Sequence, residues 1–126
     1  MALRFDSQAP GGAAPVIQGY ASGGFLVSGK PYAGGVLVMP TRVLAWPAAG
    51  LDTLRAADFD RLDDETIDVL LIGTGATFRR PAPELMAALQ ARGLTIELMD
   101  SKAAARTYGV LANEGRLVAA ALLPLG

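Results

Sequence analysis

Residues 68–81 read DVLLIGTGATFRRP. The apolar run Val69, Leu70, Leu71, Ile72 has no alternation of polar and apolar positions, which predicts a strand buried on both faces. Gly73 and Gly75 then free the backbone to turn sharply, and Arg79 and Arg80 lead into Pro81 and Pro83. A proline suits the first turn of a helix, where its missing N–H has no partner to lose. The stretch therefore predicts strand, tight loop and helix, with the loop at the carboxyl end of the strand, where open α/β sheets hold their ligands.

Working outward, ELMAALQARG continues as a helix over 83–92 with Leu85, Met86 and Leu89 on one face, and Gly93 stands where a left-handed C-cap belongs. TIELM (95–99) predicts a strand. Asp100 or Ser101 is placed to cap a second helix over KAAARTYGVLAN (102–113). RLVAAALL (116–123) is apolar almost throughout and predicts a central strand. The first half is different. VIQGYA and FLVSG around Gly23 and Gly24 predict a hairpin, KPYAG (30–34) a turn, and GVLVM and RVLAW two further strands, each ending on a proline. Leu51, Leu54, Phe59 and Leu62 fall in an Asp- and Arg-rich segment that predicts short helical turns. A β-rich half followed by alternating strands and helices predicts an α/β fold. Its expected form is a three-layer domain with a mixed, largely parallel central sheet, helices packed on it and an N-terminal β-hairpin or β layer. SQAPGGAAP marks residues 1–15 as a flexible lead-in, leaving 16–126 as the domain.

Composition narrows the chemistry. With 52% hydrophobic and 18% charged residues the chain is built to fold rather than stay disordered. A net charge of -1 gives no basic excess for nucleic acid. No apolar run is long enough to span a membrane, and MALRFDSQ lacks the apolar core of a signal peptide, so a cytoplasmic location is expected. There is no cysteine and no histidine. That removes the thiolate nucleophile, the usual neutral-pH base and the commonest transition-metal ligands, so no metal and no cofactor is expected. Asp63, Asp64 and Glu65 lack the alternating spacing of a calcium loop and are expected to be a solvated loop.

Further residues carry a family resemblance. GTG at 73–75 is followed by Glu97, Asp100, Ala104, Arg106-Thr107-Tyr108, Val110-Leu111, Glu114-Gly115-Arg116 and Val118 to Leu122. In the first half Tyr20, Gly24-Phe25, Gly29, Tyr32, Gly35 to Leu37, Pro40 and Trp46 also fit. This ordered set, over residues 16–123, resembles a family of small bacterial and archaeal domains. The family includes the mitochondrial respiratory complex I assembly factor 3 and an adipogenesis-associated mammalian protein. The resemblance implies a three-layer α/β fold with a mixed sheet, and a role in assembly through protein partners for the mitochondrial member. It implies no established activity for the bacterial ones. The chain departs from the family pattern at Gly109, where asparagine is usual, and at Ser101-Lys102, where Thr-Gly is common.

Two functional readings follow. The first is a non-enzymatic interaction domain, assembly-factor-like, with a protein partner and no catalytic residue. The second is a small-anion or small-molecule site, or an enzyme, at Gly73, Thr74, Gly75, Arg79 and Arg80. There backbone amides and guanidinium groups would meet a phosphate or carboxylate. Lys102, Arg106 and Tyr108 form a second candidate cluster. Tyr108 is expected to pack inward with its hydroxyl at the edge, and Arg106 to pair with Glu97 or Asp100. Trp46 and Phe25 are expected in the core. A cluster of exposed apolar side chains favours the first reading, and a concave, positively lined pocket the second.

Overall fold

The computed structural model describes residues 14–21 and 23–126, so most of the expected lead-in and Ser22 of the first turn lie outside the described residues. Strands β1 (Ile17–Ala21), β2 (Gly24–Val27) and β3 (Lys30–Ala33) form an antiparallel meander. Strands β4 (Gly35–Val38), β5 (Val43–Trp46), β6 (Val69–Gly73), β7 (Thr95–Met99) and β8 (Val118–Leu122) form a second sheet in the order β5-β4-β8-β6-β7. Helix α1 (Pro83–Gln90) joins β6 to β7, and α2 (Ser101–Asn113) joins β7 to β8. Two 3-10 segments, Leu51–Thr53 and Ala56–Asp64, bridge β5 to β6.

The sheet is mixed: β6 runs parallel to both β7 and β8, while β4 is antiparallel to β8 and β5. β6 and β8 are buried at all five positions each, as their unbroken apolar runs require. Their side chains alternate between two cores. Leu70, Ile72, Ala119 and Ala121 face Leu85 and Leu89 of α1 and Phe59 and Leu62 of the long 3-10 segment. Val69, Leu71, Val118, Ala120 and Leu122 face Ala104, Ala105 and Tyr108 of α2 and Phe25 and Val27 of β2. Leu70 and Val118 thus lie on neighbouring strands but in opposite cores. Trp46 belongs to the first core, edge-on to Phe59 at 5.3 Å and donating from Nε1 to Asp58 O at 2.8 Å; Phe25 belongs to the second.

One segment departs from the sequence expectation. KPYA is strand β3, not a turn; the reversal sits one step earlier, at Ser28 and Gly29, both with positive φ (48° and 82°). Pro31 masked the strand in the sequence, but β3 is the edge of its sheet, where a missing N–H costs no ladder bond. Asp63, Asp64 and Glu65 also behave unequally. Asp63 and Asp64 are exposed, but the Glu65 side chain is only 8% exposed, its Oε1 accepting from Thr41 N at 3.0 Å and its Oε2 lying 3.4 Å from Arg42 Nε.

Candidate functional site

The 73–80 loop leaves the sheet between β6 and β7. These neighbours are parallel, and their following helices go to opposite faces, α1 to one core and α2 to the other. That is a topological switch point, the position where such sheets open a crevice. Here the crevice is filled by Ser101, which is fully buried at the start of α2. Ser101 Oγ accepts from Gly75 N at 2.9 Å and donates to Leu123 O at 2.6 Å, and Ser101 N donates to Gly75 O at 2.9 Å. A Cβ on Gly73 would stand 2.7 Å from Ser101 Oγ and 2.9 Å from Ser101 Cα, so the close approach itself needs glycine. Gly75 holds φ +102°, open to glycine at little cost.

Three amides of the loop, those of Thr74, Gly75 and Arg79, are engaged within the chain. Thr74 N donates to Met99 O at 2.9 Å, Gly75 N to Ser101 Oγ, and Arg79 N to Thr74 Oγ1 at 3.1 Å; Thr74 Oγ1 donates in turn to Thr77 O at 2.7 Å. Arg79 pairs with Asp52 at 2.7 Å, not with Asp63, Asp64 or Glu84, and Arg80 lies over the exposed Phe78 ring at 5.5 Å. Asp63 and Asp64 serve other arginines, Arg92 and Arg42. The N-terminus of α2 is capped by the Asp100 carboxylate, which accepts from Ala103 N at 2.9 Å; its negative charge sits where an anion would otherwise be drawn.

Lys102, Arg106 and Tyr108 do not converge. Lys102 is exposed, with its ammonium 5.7 Å from the Tyr20 ring. Arg106 is exposed and pairs with neither Glu97 nor Asp100 among the described residues. Tyr108 is buried as expected, and its hydroxyl donates to Pro15 O at 2.7 Å. Burial pushes its phenol above the ordinary value, and the Glu65 charge adds to the shift, so it stays protonated and cannot act as a base at neutral pH. Gly109 is exposed, with open space where a side chain would stand. Among the described residues no group of three acidic residues is placed to hold a metal ion.

A different surface stands out, one the sequence reading missed. The outer face of the β1–β2–β3 meander carries no charge. The register aligns Gly19 with Leu26 and Pro31, and Ala21 with Gly24 and Ala33, one row beside the other on the face away from Phe25 and Val27. Leu26 is 39% exposed there. An open groove of about 470 Å³ runs over these residues, and a Cβ on Gly19 would meet nothing. The signal was available in the sequence only once KPYA is taken as a strand, since the third strand of the face, with Pro31 and Ala33, comes from it.

A family described as a protein of unknown function (DUF498/DUF598) matches residues 17–123. The chain belongs to this family. Among DUF498/DUF598 relatives, an uncharacterised protein of Rhodobacter capsulatus is 40% identical over 114 residues, covering 90% of this chain and 87% of that one. NADH dehydrogenase [ubiquinone] 1 alpha subcomplex assembly factor 3 of Bos taurus is 30% identical over 110 residues, covering 86% of this chain and 60% of the relative, so the chain spans less than two thirds of that protein. A crystal structure of a Bordetella parapertussis protein superposes with a TM-score of 0.81 at 33% identity, covering 91% of this chain and 99% of that one. The α/β fold and the family expected from the sequence are thus both found. No described helix is long and apolar enough to cross a membrane.

Proposed function

We propose that this DUF498/DUF598 chain is a non-enzymatic docking domain that holds a protein partner against the outer face of its N-terminal meander. The observation that carries the reading is that face: two rows of Gly, Ala, Leu and Pro, grooved and free of charge, left uncovered among the described residues. Its complement is an uncharged, apolar protein surface, because seating a charged group there would strip its water with nothing to pair it. The relatives titled assembly factor support a role through protein partners. The absence of histidine and cysteine removes the usual neutral-pH base and the thiolate nucleophile, and Tyr108 is held protonated.

Photo-crosslinking tests it. A benzophenone side chain replaces Leu26 in the full chain, expressed in its own cells, with Ala87 on the exposed side of α1 as control. The expected result is one discrete adduct at position 26, absent at 87, attached through an apolar segment of the partner and lost when Gly19→Leu fills the groove. No adduct, an adduct through a charged segment, or one that survives Gly19→Leu in a variant of unchanged stability overturns the reading.

A second reading, a small-anion site at the 73–80 loop, draws on its place at the switch point and on Arg80, which has no ion-pair partner among the described residues. With the amides of Thr74, Gly75 and Arg79 engaged, the anion would rely on the exposed turn at Ala76, Thr77 and Phe78 and on Arg80.

A further inference from the structure

Each sheet has two edge strands, and three of the four are interrupted. β1 shifts register between Ile17 and Gly19, β3 contains Pro31, and the four-residue β5 runs into Pro47. Bulges, prolines and short lengths are the devices that keep sheet edges from pairing with other chains. The fourth edge, β7, has neither bulge nor proline, and its one charge is Glu97. Thr95 to Met99 pair with β6 in unbroken register, with no glycine, proline or lysine, and no described strand lies on the other side.

The open side of β7 can be specified. Met99 O accepts from Thr74 N on the β6 side. Backbone groups alternate along a strand, so Thr95, Glu97 and Met99 turn their N–H and C=O toward β6, and Ile96 and Leu98 turn theirs outward. The side chains of Ile96 and Leu98 pack on the core that holds Leu70 and Ile72, while Glu97 is exposed on the opposite face. Antiparallel pairing of the whole strand with a second copy, Ile96 opposite Leu98, puts Glu97 opposite Glu97. That is the closer, non-hydrogen-bonded kind of pair, and like charges there repel.

We infer that the β7 edge is a strand-addition site for an extended peptide of a different chain, with a basic residue opposite Glu97 and an apolar residue on each side of it. The incoming strand bonds the N–H and C=O of Ile96 and Leu98. Its two apolar residues extend the core face beside Ile96 and Leu98, and its basic residue neutralises Glu97. The surface is separate from the uncharged face of the meander, and this assignment stands or falls without that one.

Two synthetic probes test it: acetyl-Thr-Val-Lys-Val-Thr-amide and the same peptide with Glu in place of Lys. Each is titrated into the full chain at constant ionic strength, following backbone amide shifts and hydrogen exchange. The Lys peptide is expected to shift Ile96 and Leu98 amides and slow their exchange, and to bind about fivefold tighter than the Glu peptide. Glu97→Lys, a surface change, is expected to invert that preference. The assignment is overturned if neither peptide moves Ile96 and Leu98, if both bind equally, or if the preference survives Glu97→Lys. It is also overturned if these amides are already protected in a concentration-dependent dimer without peptide.

Discussion

Ser101 Oγ accepts from Gly75 N, 26 residues earlier in the chain, at 2.9 Å, and its hydroxyl donates to Leu123 O at 2.6 Å. One buried hydroxyl thereby ties together the chain ends of β6 and β8 and the start of α2. Ser101→Ala leaves a buried N–H and a buried C=O unpaired, and is expected to cost about 1–3 kcal/mol for each. Gly73→Ala is expected to destabilise as well, and Ser101→Ala is not expected to rescue it, because the added methyl also meets Ser101 Cα at 2.9 Å. Urea unfolding of the two single variants and the double variant checks both statements; full rescue would contradict the backbone clash.

Leu70 is fully buried on central strand β6, facing α1 and the long 3-10 segment. Leu70→Ala is expected to lower stability by about 2–5 kcal/mol, through lost transfer energy and the cavity left behind. A loss under about 1 kcal/mol in chemical denaturation would contradict the sheet order.

Tyr108 gives a pH signature. Its phenol is raised above the ordinary 10.0 in the folded chain, so its protonated form adds stability that is complete below about pH 10 and is lost as pH climbs from there toward the folded value. Tyr108→Phe removes the bond to Pro15 O and is expected to cost about 1 kcal/mol at neutral pH. The gap between wild type and variant is expected to narrow above pH 10.0. Denaturation series at pH values on both sides of that point measure it; a gap independent of pH would mean the hydroxyl is not held protonated.

The loop reading has its own measurement. Phosphate, sulfate and simple carboxylates are titrated at constant ionic strength while the amides of residues 73–80 are followed by NMR, in wild type and in an Arg79→Ala, Arg80→Ala double variant. If an anion binds, Ala76, Thr77 and Phe78 are expected to shift more than Thr74 and Gly75, whose N–H groups are already bonded. The arginine variant is expected to bind more weakly. Unchanged wild-type amides would make the loop a turn and nothing more.

Features that depend on neighbours along the chain were legible in the sequence. The run from Val69 to Ile72 specified a strand buried on both faces, Pro83 and Gly93 bracketed α1, and Asp100 capped α2 as its spacing required. The lack of histidine and cysteine limited the chemistry without any structure. The ordered residues from Tyr20 to Leu122 carried the family, because they record the whole fold rather than one motif. The rest depends on residues far apart in sequence that the fold brings together. Pro31 disguised β3 as a turn until its place at a sheet edge made the missing N–H harmless. Ser101, the alternative to Asp100 as the cap of α2, fills the crevice, since β6 and β8 bring Gly75 and Leu123 to its hydroxyl. Glu65 is in an acidic run yet buried, because the β4–β5 turn lays Thr41 and Arg42 over it. The grooved face of the meander and the open edge of β7 are likewise properties of pairing: a strand's own residues do not state which neighbours it has, and so cannot state which of its sides is left bare.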